Sequence, residues 1–173
     1  MARLILALTF ALALLAGCGG GHGPGDGGGG GRSKGRQQFV ADANKICREG
    51  ERAVTGKVSD IRGKLQNAGT AQEQQKLIAD ALETTAKAYQ PYLDRLDGLK
   101  APADLSGEWS KFMDGIDRAF RLIPDVADAT RGGDQGKLDD LTKDFQRIAN
   151  DTRPFAIKYR LNDCLPESSA PTG

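Results

Sequence analysis

The chain has 173 residues, a mean hydropathy of −0.45, and 24 basic residues against 23 acidic ones, for a formal net charge of +1 at pH 7. This near-neutrality, with aromatic residues at only 6%, excludes the basic excess and broad stacking surface by which a nucleic-acid binder is recognised. The length suits a single domain with a buried core.

Residues 1–17 are read as a signal peptide. Arg3 supplies a positive start, and residues 4–16 are apolar except for Thr9. That run is too short to cross a roughly 30 Å hydrocarbon core as a helix, and its flanks are those of a cleavable secretory signal. It closes on Leu15-Ala16-Gly17-Cys18. This stretch resembles the lipobox of bacterial lipoproteins. The resemblance implies a diacylglyceryl group thioether-linked to Cys18 and cleavage before that residue, so that two acyl chains hold the protein at the membrane. An ordinary signal that leaves a Cys, and an uncleaved anchor, are the alternatives.

Residues 18–36 read as a lipidated Cys followed by a Gly-rich tether, with a root-mean-square reach of roughly 20–25 Å. The tether has too little apolar surface to repay ordering. His22 within it reads as a solvated linker residue rather than a metal ligand. Arg32, Lys34 and Arg36 form a small basic cluster beside the domain; solubility is the favoured reading and contact with anionic lipid the other.

Residues 37–165 carry four amphipathic segments. The first places Phe39, Ala43, Ile46, Gly50, Val54, Val58, Ile61, Leu65 and Ala68 at alternating three- and four-residue steps, one face of a helix. Gly69 is expected to stop it in a left-handed conformation, and Thr70-Ala71-Gln72-Glu73 reads as a capping box for the second. That segment shows Ile78, Leu82, Thr85, Tyr89, Tyr92, Leu96 and Leu99. After a connector at Pro102, Asp104 or Ser106 is the expected N-cap of the third, which shows Leu105, Trp109, Phe112, Ile116, Phe120, Ile123 and Val126. Gly132-Gly133 closes it and Asp134 is expected to cap the fourth, with Leu138, Leu141, Phe145, Ile148, Thr152, Phe155 and Tyr159. Short connectors force antiparallel neighbours, so the predicted fold is an all-α, up-down-up-down four-helix bundle. Residues 166–173 read as a disordered tail.

Pro91, Pro124 and Pro154 fall inside helices and are expected to kink or split them, with a new cap at Asp151 or Thr152. Splaying at the end holding Pro91 and Pro154 would open a groove near Tyr89, Tyr92, Phe155 and Tyr159. The bland alternative is that the prolines shape helices around a filled core.

With Cys18 assigned to lipid, Cys47 and Cys164 remain. In an exported protein an even remainder reads as a disulfide, and the bundle topology brings both to one end. Two buried thiols or a metal pair are the alternatives, although the domain has no His to complete a zinc set. No haem-attachment motif, Glu-x-x-His pair, phosphate loop or His-based nucleophile is present. No cofactor, metal or catalytic residue is expected, and the chain is read as non-enzymatic.

Phe39-Val40-Ala41-Asp42-Ala43-Asn44-Lys45-Ile46-Cys47, the connector Leu99-Lys100-Ala101-Pro102-Ala103-Asp104-Leu105 and the closing Tyr159-Arg160-Leu161-Asn162-Asp163-Cys164 join the lipobox-like stretch and the tether. Together they resemble the small lipoproteins and secreted helical proteins of actinobacteria-type bacteria. The resemblance implies a helical domain, lipid-anchored on the extracytoplasmic face of the cell membrane, and carries no catalytic residue. The expected role is a cell-envelope protein acting through a protein partner. The alternative is a module holding an apolar ligand or lipid in the groove between kinked helices; nucleic acid is not an expected partner.

Overall fold

The computed structural model describes residues 32–165. The signal-type run, Cys18, His22 with the rest of the tether to residue 31, and the tail at 166–173 lie outside the described residues. The chain is an all-α, up-down-up-down four-helix bundle, with no strand among the described residues. Its helices are α1 (Arg32–Gln66), α2 (Ala71–Asp97), α3 (Ser106–Gly132) and α4 (Gln135–Lys158), followed by a short 3₁₀ turn at Asn162–Cys164.

The first helix begins at Arg32 rather than Gln37, so the last residues assigned to the tether are helical. Arg36 explains much of this. Its guanidinium pairs with Asp104, ahead of α3, and sits over the Tyr159 ring at 5.8 Å. Tertiary contact thus holds a turn that composition alone leaves as coil, at the usual cost of the exposed Gly35 within a helix.

The connectors divide into expected and unexpected chemistry. Thr70 Oγ1 accepts from the Glu73 amide at 3.1 Å, the predicted cap, but the Glu73 carboxylate reaches back to the Gly69 amide (3.0 Å), one residue beyond the usual box. Gly69 is not left-handed, and α1 ends earlier, at Gln66. Neither Asp104 nor Ser106 caps α3. Leu105 occupies the cap position, and the Pro102 carbonyl accepts from the amides of Leu105 (2.8 Å) and Ser106 (2.9 Å). A proline-centred turn therefore does the work expected of a side chain, which frees Asp104 for Arg36. Gly133 (φ 65°) closes α3 as expected, and Asp134 Oδ1 caps α4 by accepting from the Lys137 amide at 2.9 Å.

None of the three interior prolines ends its helix, and the break expected near Pro154 does not occur. Pro91, Pro124 and Pro154 are all exposed. The backbone bond each removes lies on the solvent side, where water can replace it. Thr152, a candidate cap for the expected break, is instead buried inside α4, donating its hydroxyl to the Ile148 carbonyl at 2.9 Å.

Consecutive helices pack along each other, whereas α1 and α4 share no close backbone contact and meet through the 3₁₀ turn. Two glycines set the approach of the pairs. A Cβ at Gly50 would lie 3.0 Å from the Tyr89 ring of α2, and one at Gly115 would lie 2.3 Å from Thr152 Cγ2 of α4. The main core fills the end that holds the disulfide. Phe39 and Ile46 of α1, Leu96 of α2, Trp109 and Phe112 of α3, and Phe155 of α4 are buried there together. Toward the opposite end, Ile61, Leu65, Ile78, Leu82, Ile123 and Phe145 keep the predicted inward spacing but remain half-buried.

The α3–α4 crossing gives a direct test. Gly115→Ala is expected to destabilise the protein by about 1–3 kcal/mol in urea unfolding, through overpacking against Thr152. Adding Thr152→Ser, which removes the clashing methyl group, should recover part of that loss.

Candidate functional site

The best-defined constellation is a clasp between α1 and the residues after α4. Cys47 and Cys164 form a disulfide across a sequence separation of 117, with Cα atoms 5.1 Å apart. This is the predicted pairing, and it removes the free-thiol and metal-pair readings. In chain-entropy bookkeeping such a loop is worth about 4–5 kcal/mol.

The bridge is flanked by polar and apolar contacts that cysteine counting does not reveal. Asn44 lies one turn before Cys47. Its Nδ2 donates to the Arg160 carbonyl (2.9 Å), and its Oδ1 accepts from the Asp163 amide (3.1 Å). One side chain thus satisfies a carbonyl and an amide of the chain just beyond α4. Arg48, one turn further along α1, pairs with Asp163 at 2.5 Å.

The segment is aimed by the helix terminus. Arg160 takes φ 55°, the one left-handed non-glycine among the described residues, and the Leu161 amide donates to the Ala156 carbonyl at 2.8 Å. This is the Schellman arrangement, with Arg160 where glycine is usual, at a cost of about 1–2 kcal/mol. Leu161, at 0% exposure, is driven into the core and offsets that cost. The available sequence signal was spacing: Asn44 and Leu161 each stand three residues before a cysteine of the pair.

The four residues proposed to line a groove are part of this packed end. Phe155 is buried, its ring 5.1 Å from Phe112 and 4.6 Å from Tyr159. Tyr89 and Tyr92, half-buried, form a second group, with Tyr89 also packed on Phe120 at 5.6 Å. Within each group the rings meet at tilted angles, and Phe155 also lies 6.1 Å from Trp109. Two shallow clefts lie at the opposite end. One is lined by residues including Asp60, Lys64 and Glu73, the other by residues including Thr70, Lys76 and Arg131. Their walls are mainly polar and charged side chains, and Arg131 is already engaged by Glu83 (2.6 Å), Asp80 (3.2 Å) and Asp128 (3.1 Å).

Ionisable groups serve packing and pairing. Burial, aided by the nearby Glu51 charge, pushes the Tyr89 phenol up to about 12, and its hydroxyl approaches the Cys47 carbonyl at 3.4 Å. The Lys158 ammonium, 3.0 Å away, holds the Glu108 carboxyl below its ordinary value. Arg95 does the same for Glu49 across α1 and α2, at 2.7 Å. Among the described residues, no three or more His, Cys, Asp or Glu side chains gather as a metal site. Among the same residues, no helix is long and apolar enough to cross a membrane. No protein family, curated protein or solved structure matches this chain.

Asn44→Ala is expected to cost roughly 1–3 kcal/mol in urea unfolding, because it strands both the Arg160 carbonyl and the Asp163 amide. Asn44→Asp, which keeps an acceptor but loses the donor, should restore only part. Tyr89 predicts an alkaline signature. Its folded-state pKa lies above the unfolded value near 10, so above pH 10 the unfolded chain ionises first and stability falls, by roughly 2 kcal/mol on approaching pH 12. Tyr89→Phe should lack that share of the loss, as read from urea midpoints on either side of pH 10.

Proposed function

We propose that this protein is a lipid-anchored, non-enzymatic cell-envelope protein that acts through a protein partner. The observation that carries the anchor is Leu15-Ala16-Gly17-Cys18 at the close of an apolar run too short to span a bilayer. In this reading Cys18 takes the diacylglyceryl group, the signal is removed, and the bundle stands on the extracytoplasmic face. A disulfide between the other two cysteines agrees with such a compartment, where thiols are oxidised.

The filled aromatic end favours a protein partner over an apolar ligand. Phe155 packs in tilted contacts against Tyr159 (4.6 Å), Phe112 (5.1 Å) and Trp109 (6.1 Å), where a ligand groove would have to open. A bundle built this way offers surfaces, with Ile157 at 45% exposure as a large apolar residue facing solvent near the clasp.

Two measurements in cells producing the full chain test this. Radiolabelled palmitate should enter the wild-type protein and not Cys18→Ser; label retained by that variant overturns the lipid anchor. Crosslinking in intact cells followed by mass spectrometry should capture a discrete protein partner. Stoichiometric apolar ligand in native mass spectra of the purified protein, with no protein crosslink, overturns the interaction reading in favour of ligand binding.

A further inference from the structure

The charge of the chain is balanced as a whole but not by helix. α1 holds nine of the 24 basic residues and only four of the 23 acidic ones. The helical continuation ahead of Gln37 gives Lys34 and Arg36 a geometry that their place in the sequence did not have. Arg36 turns toward the bundle, to Asp104 and the Tyr159 ring. Lys34 joins a different set. Lys34, Gln38, Ala41, Lys45, Arg48 and Arg52 follow one another at steps of four, three, four, three and four, which is one line along a helix.

Every one of those six positions is exposed, and the line runs opposite the face that buries Ala43 and Gly50. No acidic residue lies on it. Asp42 and Glu49 sit on the flank, and Glu49 is engaged by Arg95 of α2. Arg48 is paired with Asp163, whereas Lys34, Lys45 and Arg52 form no ion pair with a described residue. From Lys34 to Arg52 the stripe extends about 27 Å at the rise of an α-helix.

We propose that this outer face of α1 lies along an anionic lipid surface, the membrane to which the chain is anchored. The proposal rests on the lipid-anchor reading and deepens it, because α1 is the first element after the Gly-rich segment. On the sequence reading of residues 19–31 as a coil, that segment reaches roughly 20 Å, so the lipid on Cys18 keeps the start of α1 within contact range of headgroups. Three positive charges in one line opposite a wholly separate packing face suit a flat, negatively charged surface, where each basic residue adds to binding. The near-zero net charge means that the protein as a whole supplies little attraction, so the stripe carries it. Lying on this face, the bundle turns its other three helices away from the membrane and toward a partner.

The test uses the chain from residue 18 onward with Cys18→Ser, which keeps all four helices and the clasp and carries no acyl chain. Its partition is measured by sedimentation with vesicles of equal parts phosphatidylglycerol and phosphatidylcholine, and with vesicles of phosphatidylcholine alone. Binding is expected to the anionic vesicles only, and to weaken as salt rises. The triple variant Lys34→Gln, Lys45→Gln, Arg52→Gln should lower it roughly 100-fold at low salt, with an unchanged circular dichroism spectrum and melting temperature. Removing the same number of charges elsewhere, by Lys87→Gln, Lys111→Gln and Lys143→Gln, should change it by less than about fivefold. Equal binding to both vesicle types, or an equal loss in the two triple variants, overturns the proposal. So does retention of the unsubstituted protein on heparin without vesicle binding, which assigns the stripe to a soluble polyanion. Because the assay contains no lipidated protein, its failure leaves the palmitate result at Cys18 standing, and the reverse also holds.

Discussion

Cys47 and Cys164 join two parts of the bundle that backbone packing leaves apart. Each helix lies against the next in sequence, but α1 and α4 share no close backbone contact, and the closing turn bridges them. The disulfide shortens the unfolded chain's reach across nearly the whole domain. The hydrogen bonds of Asn44 and the burial of Leu161 hold the turn in the one position where the sulfur atoms meet. Covalent and non-covalent parts are therefore one device: the left-handed Arg160 turns the chain, Leu161 anchors it and the bridge locks it.

The consequence is an uneven core. At the clasp, aromatic rings from all four helices pack together, and the first turns of α1 are drawn in by Arg36. At the other end no bridge draws α1 toward α4, and although Leu141 and Ala79 are buried, larger inward-spaced residues such as Ile61, Leu65, Ile78 and Leu82 stay half-buried. The prolines do not set this pattern. With all three rings on the exposed side, their missing hydrogen bonds face solvent and the helices run on. The small residues matter more: Gly50 and Gly115 let a tyrosine and a threonine of neighbouring helices approach within the space of a missing methyl group.

Charge is used in two ways on this surface. Between neighbouring helices, opposite charges are matched in exposed pairs such as Arg95 with Glu49 and Lys158 with Glu108, which align helix faces and contribute modestly to stability. Along the outer side of α1 only Arg48 is matched, by Asp163, and Lys34, Lys45 and Arg52, without an ion pair to a described residue, fall on one line with it. Overall neutrality thus hides a polarity that appears only when residues are placed on a helix.

Much of this was legible in the sequence. Three- and four-residue spacing identified the four helices and one inward stripe on each, because a helix must bury one stripe and the stripe has a fixed period, but it missed buried neighbours of that stripe such as Ala79, Ala88 and Leu93 of α2 and Met113 and Ala127 of α3. Cysteine parity and antiparallel order identified the bridge. Thr70 and Asp134 were readable as caps because their partners lie three residues away. The features that were missed depend on partners distant in the chain. Asp104 left its capping role for Arg36, 68 residues before it, and Asn44 found its partners in the last turn. Tyr89, Tyr92, Phe155 and Tyr159 share one packed cluster, but whether their rings fill that end or open it depends on how closely the helices approach. The elements, their order and the disulfide could be read before any fold was seen, since each is written in local spacing or in the identity of single residues. Which end is packed, where α1 starts and which charges of the described residues find partners came from the folded bundle alone, because those follow from contacts between segments that periodicity cannot place against one another.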